Sequence, residues 1–255
     1  MRVSYDFRDS VVVVTGGGHG IGAGLCRAVA KAGGVAVSAD IAPNSALSEI
    51  QAPGRIEVAS VDVGNAQGIQ GLLQETIGRY GKIDAFVQAA AIQPRQEIEE
   101  MSQETWLRVM DVNLNSLFYA GQVLMPHMKS RRAGAIVAFA SGLAQTGWAK
   151  ASGYATTKAA LIAFIKSMAK EGLAYGVRAN IIAPGITDTD LFTGPNNEQE
   201  QEFFRVRGGG VGTVAEVVPL LMFLISDASR SLTGALLSRD LIIHPPETAD
   251  LKDQM

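Results

Sequence analysis

"SVVVVTGGGHGIG" fills residues 10–22, and its two halves follow different rules. The first half is an unbroken β-branched run, Val11 to Val14, closed by Thr15. A strand that is apolar at every position, rather than at every second one, suits a parallel sheet covered on both faces. The second half places glycine at 16, 18, 20 and 22 and then enters an apolar-periodic helix reaching about Ala32. Without Cβ atoms the backbone can turn sharply and approach a pyrophosphate, while the helix N-terminus offers free N–H groups and a positive dipole end. Strand, glycine turn and helix at the first crossover therefore predict a dinucleotide site built around Gly16, Gly18, His19, Gly20 and Ile21.

Working outward, similar short runs recur at 35–39, 56–61, 83–90, 135–141 and 177–183, separated by helical stretches near 65–80, 102–129, 152–174 and 213–226. Repeated β-α-β with right-handed crossovers gives an α/β, doubly wound parallel sheet, a three-layer αβα sandwich. No linker or low-complexity tract interrupts the 255 residues, so a single domain is expected over 1–255. The segment 190–212 has no strand pattern, carries Phe203 and Phe204 and ends in three glycines. It reads as a lid or substrate loop, with a mobile surface excursion as the plainer option.

Bulk properties narrow the function classes. Net charge is −3 and the only adjacent basic pair is Arg131–Arg132, so no nucleic-acid partner is expected. No apolar run approaches a membrane span, and "MRVSYDFRDS" is not a signal peptide. One cysteine, Cys26, lies in an apolar helical stretch and is expected to be buried and inert. It permits no intrachain disulfide, which fits a reducing, cytoplasmic compartment. The histidines 19, 127 and 244 have no metal-ligand spacing, so no metal is expected.

Asp40 ends the second strand, 20 residues after Gly20. A carboxylate there can hold both adenosine ribose hydroxyls and repels a 2′-phosphate. The following "IAPNSALS" offers no Arg or Lys, so NAD is favoured over NADP, with His19 as a reservation because an imidazolium can attract a phosphate. Asp62 and Val63 close the third strand, where a carboxylate and a backbone group can grip adenine; Asp62 can equally cap the helix starting near Asn65.

Further along, "SGYATTKAA" (152–160) puts Tyr154 and Lys158 one helical turn apart, on one face. Alone this pair reads most simply as a solvated helix surface. Together with T-G-x-x-x-G-x-G at 15–22, Asn113, Ser141 thirteen residues before Tyr154, and "PG" at 184–185, the chain resembles the short-chain dehydrogenase/reductase family. That resemblance runs from about residue 8 to 237 and implies a Rossmann-like fold. It also implies a Ser141–Tyr154–Lys158 set, with Asn113, that moves a proton while NAD moves a hydride. The expected substrate is a small secondary alcohol or its ketone, with Tyr154 as acid and base. By the same resemblance Lys158 tunes the phenol and holds the nicotinamide ribose, and Ser141 steadies the substrate oxygen.

The resemblance further places Ala89, Pro184, Ile186 and Thr189 beside the cofactor, Thr189 matching a P-G-x-x-x-T spacing. It implies a homotetramer, or a homodimer, packed through the helices at 102–129 and 152–174. A free phenol near 10 is too weak a base at neutral pH, so a neighbouring ammonium is expected to lower it. Asn113 falls on the apolar stripe of its helix, where a buried amide must find partners; a core amide and a proton relay both satisfy that.

Two stretches depart from the family. "QAAA" (88–91) stands where an Asn-rich turn ending in glycine is usual, so Gln88 has to bridge the sheet and Ala91 is strained if its φ is positive. The tail "RDLIIHPPETAD" replaces the usual D-G-G. The pocket walls are expected from Gly142, Leu143, Gln145, Trp148 and the 190–212 loop; an uncharged pocket suits a cyclic or aromatic diol, whereas Arg205 and Arg207 suit a carboxylate or thioester carrier. A 3-oxoacyl reductase and a catalytically silent NAD-binding scaffold are the alternatives.

Overall fold

The computed structural model describes residues 3–206 and 210–238. Strands β1 (Val11–Thr15), β2 (Val35–Asp40), β3 (Arg55–Ser60), β4 (Ala85–Gln88), β5 (Gly134–Phe139), β6 (Val177–Ala183) and β7 (Leu236–Ser238) form one sheet. Their order is β3-β2-β1-β4-β5-β6-β7, and every pairing is parallel. The helices are α1 (Gly20–Lys31), α2 (Ala66–Tyr80), α3 (Gln103–Met110), α4 (Ser116–Arg131), α5 (Leu143–Thr146), α6 (Ser152–Gly172), α7 (Asp190–Thr193), α8 (Glu198–Val206) and α9 (Val214–Ile225).

Strand alternation explains why the runs are apolar throughout. Val12 and Val14 face a core with Leu25 and Val29 of α1 and Val217 and Leu221 of α9. Val13, between them, faces the opposite core with Leu73 of α2, Leu117 and Leu124 of α4, and Leu161 and Ile165 of α6. Each such side chain contributes roughly 1.5–3 kcal/mol by leaving water, so a polar residue on either face is costly. Helices on both faces of one parallel sheet make the three-layer sandwich.

Three elements differ from the sequence reading. The fourth strand, Ala85–Gln88, is shorter than 83–90 at both ends, and Asp84 just before it joins its neighbours by backbone and side chain alike. Its carboxylate accepts from the Val11 amide (2.9 Å) and pairs with Arg131 (2.8 Å), tying the strand starts together. The helix expected across 102–129 is interrupted by a π-helical turn, Asp111–Asn115. An extra residue in a helix re-aims the side chains around it, and such turns gather at functional sites. The 190–212 segment is no bare loop: it carries α7 and α8, and a Thr187–Gly212 bridge closes its base.

The strand order reverses between β1 and β4. At that point the loops after neighbouring strands diverge and leave a crevice at the sheet's carboxyl edge. In the core beneath α1 and α9 Cys26 is fully buried, and burial pushes its thiol up to about 12, as for an inert structural cysteine.

Candidate active site

A cleft of about 660 Å³ opens at that carboxyl edge. The loops after β1, β2, β4, β5 and β6 each send residues into it: Gly16, Asp40, Ala89, Ser141 and Pro184. The size lies within the roughly 300–1,000 Å³ typical of cofactor and ligand sites.

The glycine turn makes one end. Gly16 and Gly20 adopt positive φ, 64° and 50°. A Cβ on Gly16 would lie 2.6 Å from the Ala90 amide nitrogen, so the β1 and β4 loops touch only because that side chain is missing. At Gly22 a Cβ would strike the Gly16 carbonyl, which lets α1 start directly under the turn. No side chain caps α1, and Gly20, Ile21 and Gly22 at its start all line the cleft. Their amides have no carbonyl to bond within the helix, so they can receive a pyrophosphate. Gly22→Ala is expected to destabilise the protein by about 2–3 kcal/mol through this backbone overlap, measurable by urea unfolding.

Asp40 is held, not loose. Oδ2 accepts from the Gly18 amide and Oδ1 from the Ala42 amide, both at 3.0 Å. Gly18 itself does not line the cleft; it orients Asp40 from behind. His19 does line it, with Nδ1 4.0 Å from Asp40 Oδ2. Asp62 and Val63 stand farther along the same wall. Asp62 is not the cap of α2, since Asn65 caps that helix through its own side chain. Its Oδ1 instead accepts from Arg108 Nη2 and the Gly64 amide, both at 2.9 Å. The Arg108 bond, foremost, holds Asp62 below the usual carboxylate range.

Ser141, Tyr154 and Lys158 meet at the centre, on the β5 edge and the first turns of α6. Tyr154 is 8% exposed and Lys158 3%. Lys158 Nζ donates to the Phe139 carbonyl (2.9 Å) and lies 5.4 Å from the centre of the Tyr154 ring. Burial pushes Tyr154 up to about 12, against the Ser141 hydrogen bond and the charge of Arg95, which pull it down. Burial outweighs the neighbouring charges, so the phenol lies above its ordinary value rather than below it. Burial also pushes the Lys158 ammonium down to about 8, with one of its three N–H groups engaged by the Phe139 carbonyl.

Asn113 is fully buried behind the site rather than in its wall. Its side chain brackets Ile92, accepting from the amide (2.8 Å) and donating to the carbonyl (2.9 Å), and also reaches Thr157 Oγ1 (3.2 Å). The main-chain carbonyl of Asn113 accepts from Gln88 Nε2 (2.8 Å), which also donates to Ser116 Oγ (2.9 Å). Gln88 thus does bridge the sheet to the π turn. Ala91 is not among the non-glycine residues with positive φ, so the turn carries no such strain.

On the substrate side, Gly142, Leu143 and Trp148 line the cleft, whereas Gln145 does not. Phe192, Phe203 and Phe204 come from α7 and α8, and Phe204 sits 5.5 Å from Trp148, ring centre to ring centre. Ile186 and Thr189 complete the wall after β6. The pocket is not uncharged: Arg95, in the loop after β4, lines it, a residue the sequence reading passed over. Its signal was positional, since loops after parallel strands form the ligand edge. Arg205 is exposed and outside the cleft wall; Arg207, His244 and the tail from 239 lie outside the described residues. Among the described residues no cluster of metal-binding side chains occurs, and no helix is long and apolar enough to cross a membrane.

The family profile described as short chain dehydrogenase matches residues 10–200. A 3-oxoacyl-(acyl-carrier-protein) reductase of Chlamydia pneumoniae is 32% identical over 90% of this chain and 94% of its own length. The cis-4-hydroxycyclohexanecarboxylate dehydrogenase of Sinomonas cyclohexanicum is 31% identical over 92% and 96%. Among solved structures, the NADPH-dependent 3-quinuclidinone reductase of Rhodotorula rubra superposes with a TM-score of 0.84 at 25% identity, covering 92% of this chain and 91% of that one.

Proposed function

We propose, because this chain belongs to the short-chain dehydrogenase/reductase family, that it interconverts a small secondary alcohol and its ketone with NAD(H), Tyr154 serving as acid and base. The observation that carries the reading is the convergence of Ser141, Tyr154 and Lys158 on one cleft that also holds the uncapped start of α1 and Asp40. Gly20, Ile21 and Gly22 would receive the pyrophosphate, Asp40 the adenosine ribose, and Val63 and Asp62 the adenine. Lys158 would hold the nicotinamide ribose, with Ala89, Pro184, Ile186 and Thr189 around the ring. When bound, that cofactor supplies or accepts the hydride, and its oxidised form adds a positive charge beside the phenol.

In the reductive direction Tyr154 starts protonated, as a phenol is at neutral pH, and its burial favours that form further. Ser141 and Tyr154 donate to the ketone oxygen, and the phenolic proton passes to that oxygen as negative charge develops on it. Lys158 balances the resulting phenolate by its proximity. Asn113 enters as a positioning residue that holds the 88–92 turn, since its polar atoms are taken up by Ile92, Thr157 and Gln88. The direct test is a panel of secondary alcohols and ketones followed by NADH absorbance. A complete lack of turnover would favour the silent scaffold.

NAD rather than NADP rests on Asp40, since a relative of the same fold is NADPH-dependent and the fold alone does not select NAD. A fixed carboxylate repels a 2′-phosphate by several kcal/mol when the two are juxtaposed. Asp40→Asn, which keeps an acceptor for the Gly18 and Ala42 amides, is expected to narrow the NAD-over-NADP ratio of kcat/KM by about tenfold or more. An unchanged ratio would place the ribose elsewhere. The 3-oxoacyl reductase reading is favoured by relatives of that name, and acetoacetyl thioesters belong in the panel for that reason. A homotetramer or homodimer and a cytoplasmic location complete the proposal; Phe118 on α4, 49% exposed, and Leu173 just after α6, 64% exposed, supply apolar surface for self-association.

A further inference from the structure

We propose that the substrate carries a carboxylate on an apolar, ring-sized skeleton, and that Arg95 is the residue that holds it. The inference rests on the dehydrogenase reading above. Arg95 lines the cleft together with Ser141 and Tyr154, yet its donors meet only neutral acceptors. Nη2 donates to Asn196 Oδ1 (2.7 Å) and Nη1, at longer range, to the Ala149 carbonyl (3.4 Å). Its Nε is buried without an acceptor among the described residues.

No carboxylate of the described residues forms an ion pair with it. Among the described residues Glu200 and the Tyr154 phenol are the acidic groups whose charge acts on it, and an oxygen of the Glu200 side chain accepts from the Asn197 amide. Burial accordingly destabilises the Arg95 cation. Arg108 gives the contrast within the same cleft, because it is neutralised by Asp62 at 2.9 Å.

A half-buried guanidinium without a counter-ion costs free energy that an arriving anion removes, and its planar fork matches a carboxylate. The cofactor's phosphates are not that anion. They belong to the start of α1, whereas the charge of Arg95 is felt by the Tyr154 hydroxyl, at the reacting end. The surroundings specify the rest of the molecule. Trp148, Phe192 and Phe204 form a ring cluster over the same space, so the skeleton that joins carboxylate to carbonyl is apolar. Asn196, which aims Arg95, is itself anchored to the Phe192 carbonyl (2.6 Å), so α7 carries both the aromatic wall and the arginine's support.

The test uses the full chain with NADH and NADPH, and as probes 3- and 4-oxocyclohexanecarboxylate and 4-acetylbenzoate, each paired with its methyl ester. Wild type is expected to prefer at least one acid over its ester by about 100-fold in kcat/KM, chiefly through KM. Arg95→Gln should erase that preference, with acid turnover falling about 100-fold more than ester turnover; the ester loss that remains reports the missing charge beside Tyr154. Asn196→Ala removes the support but not the charge; it should reduce the preference to a value between wild type and Arg95→Gln. Ester turnover equal to or better than acid turnover in wild type overturns the inference and leaves the dehydrogenase reading intact. Equal losses for acid and ester in Arg95→Gln also overturn it, because that is the signature of a lid strut. No turnover of any acid or ester, alongside activity on simple neutral ketones, overturns it too. Silence across every substrate overturns the dehydrogenase reading itself.

Discussion

Tyr154→Phe is expected to cut turnover in both directions by about 10³–10⁴-fold, the upper range for losing a general acid–base group, while NADH binding stays close to wild type. The phenyl ring fills the same volume, so the buried first turns of α6 keep their packing against the cleft. What goes is the hydroxyl, the group that exchanges a hydrogen bond with Ser141 and feels the charge of Arg95. Without it the substrate oxygen retains only Ser141 as a donor and has no proton source held beside it. Steady-state kinetics give the first readout and an NADH fluorescence titration the second. Retention of more than a tenth of wild-type kcat would mean that another group carries the proton.

Lys158→Met is expected to abolish useful turnover and yet make the protein harder to unfold near neutral pH. Burial lowers Lys158 from 10.5 to about 8. With the native value below the unfolded one, the unfolded chain binds the extra proton between about pH 8 and 10.5. Wild-type stability therefore rises with pH across that window, and the penalty is complete below it. The gap corresponds to about 3 kcal/mol for the buried ammonium. Methionine relieves that cost but leaves the Phe139 carbonyl without its donor, a loss of about 1–2 kcal/mol. The variant should gain about 1–2 kcal/mol at pH 7 and lose the advantage by pH 10. Urea unfolding at pH 7 and at pH 9.5 checks the sign. A variant less stable than wild type at pH 7 would show that the lysine is adequately solvated. Such a residue exchanges stability for chemistry, as functional sites commonly do.

How far the site was readable depended on what each residue needed. Gly16, Gly20 and Gly22 could be placed from their spacing, because the turn requires missing side chains wherever the chain is laid down. Asp40 followed from its distance to that turn at the end of the next strand. For Tyr154 and Lys158 the spacing indicates a shared helix face, whereas the burial that raises the phenol depends on what the fold packs around both. Asn113 could be recognised as a buried amide, whereas its partners at Ile92 and Thr157 lie 21 and 44 residues away and depend on the π turn. The Ala91 strain was a fair inference from residue type; the backbone adopted there simply does not require a positive φ.

By itself the sequence determined the layered α/β architecture, the glycine turn and the identity of the polar groups that meet in the cleft. These are local matters, settled by a run of valines, by glycines at fixed offsets and by residues one helical turn apart. Only the tertiary structure decided the charge balance of the cleft. Arg95 and Asn196 are 101 residues apart and meet because α7 folds back over the loop after β4, and Arg108 reaches Asp62 across 46 residues of chain. Whether an arginine is neutralised or left unpaired depends on which distant carboxylates the fold brings within a few ångströms, and no pattern along the chain records that distance.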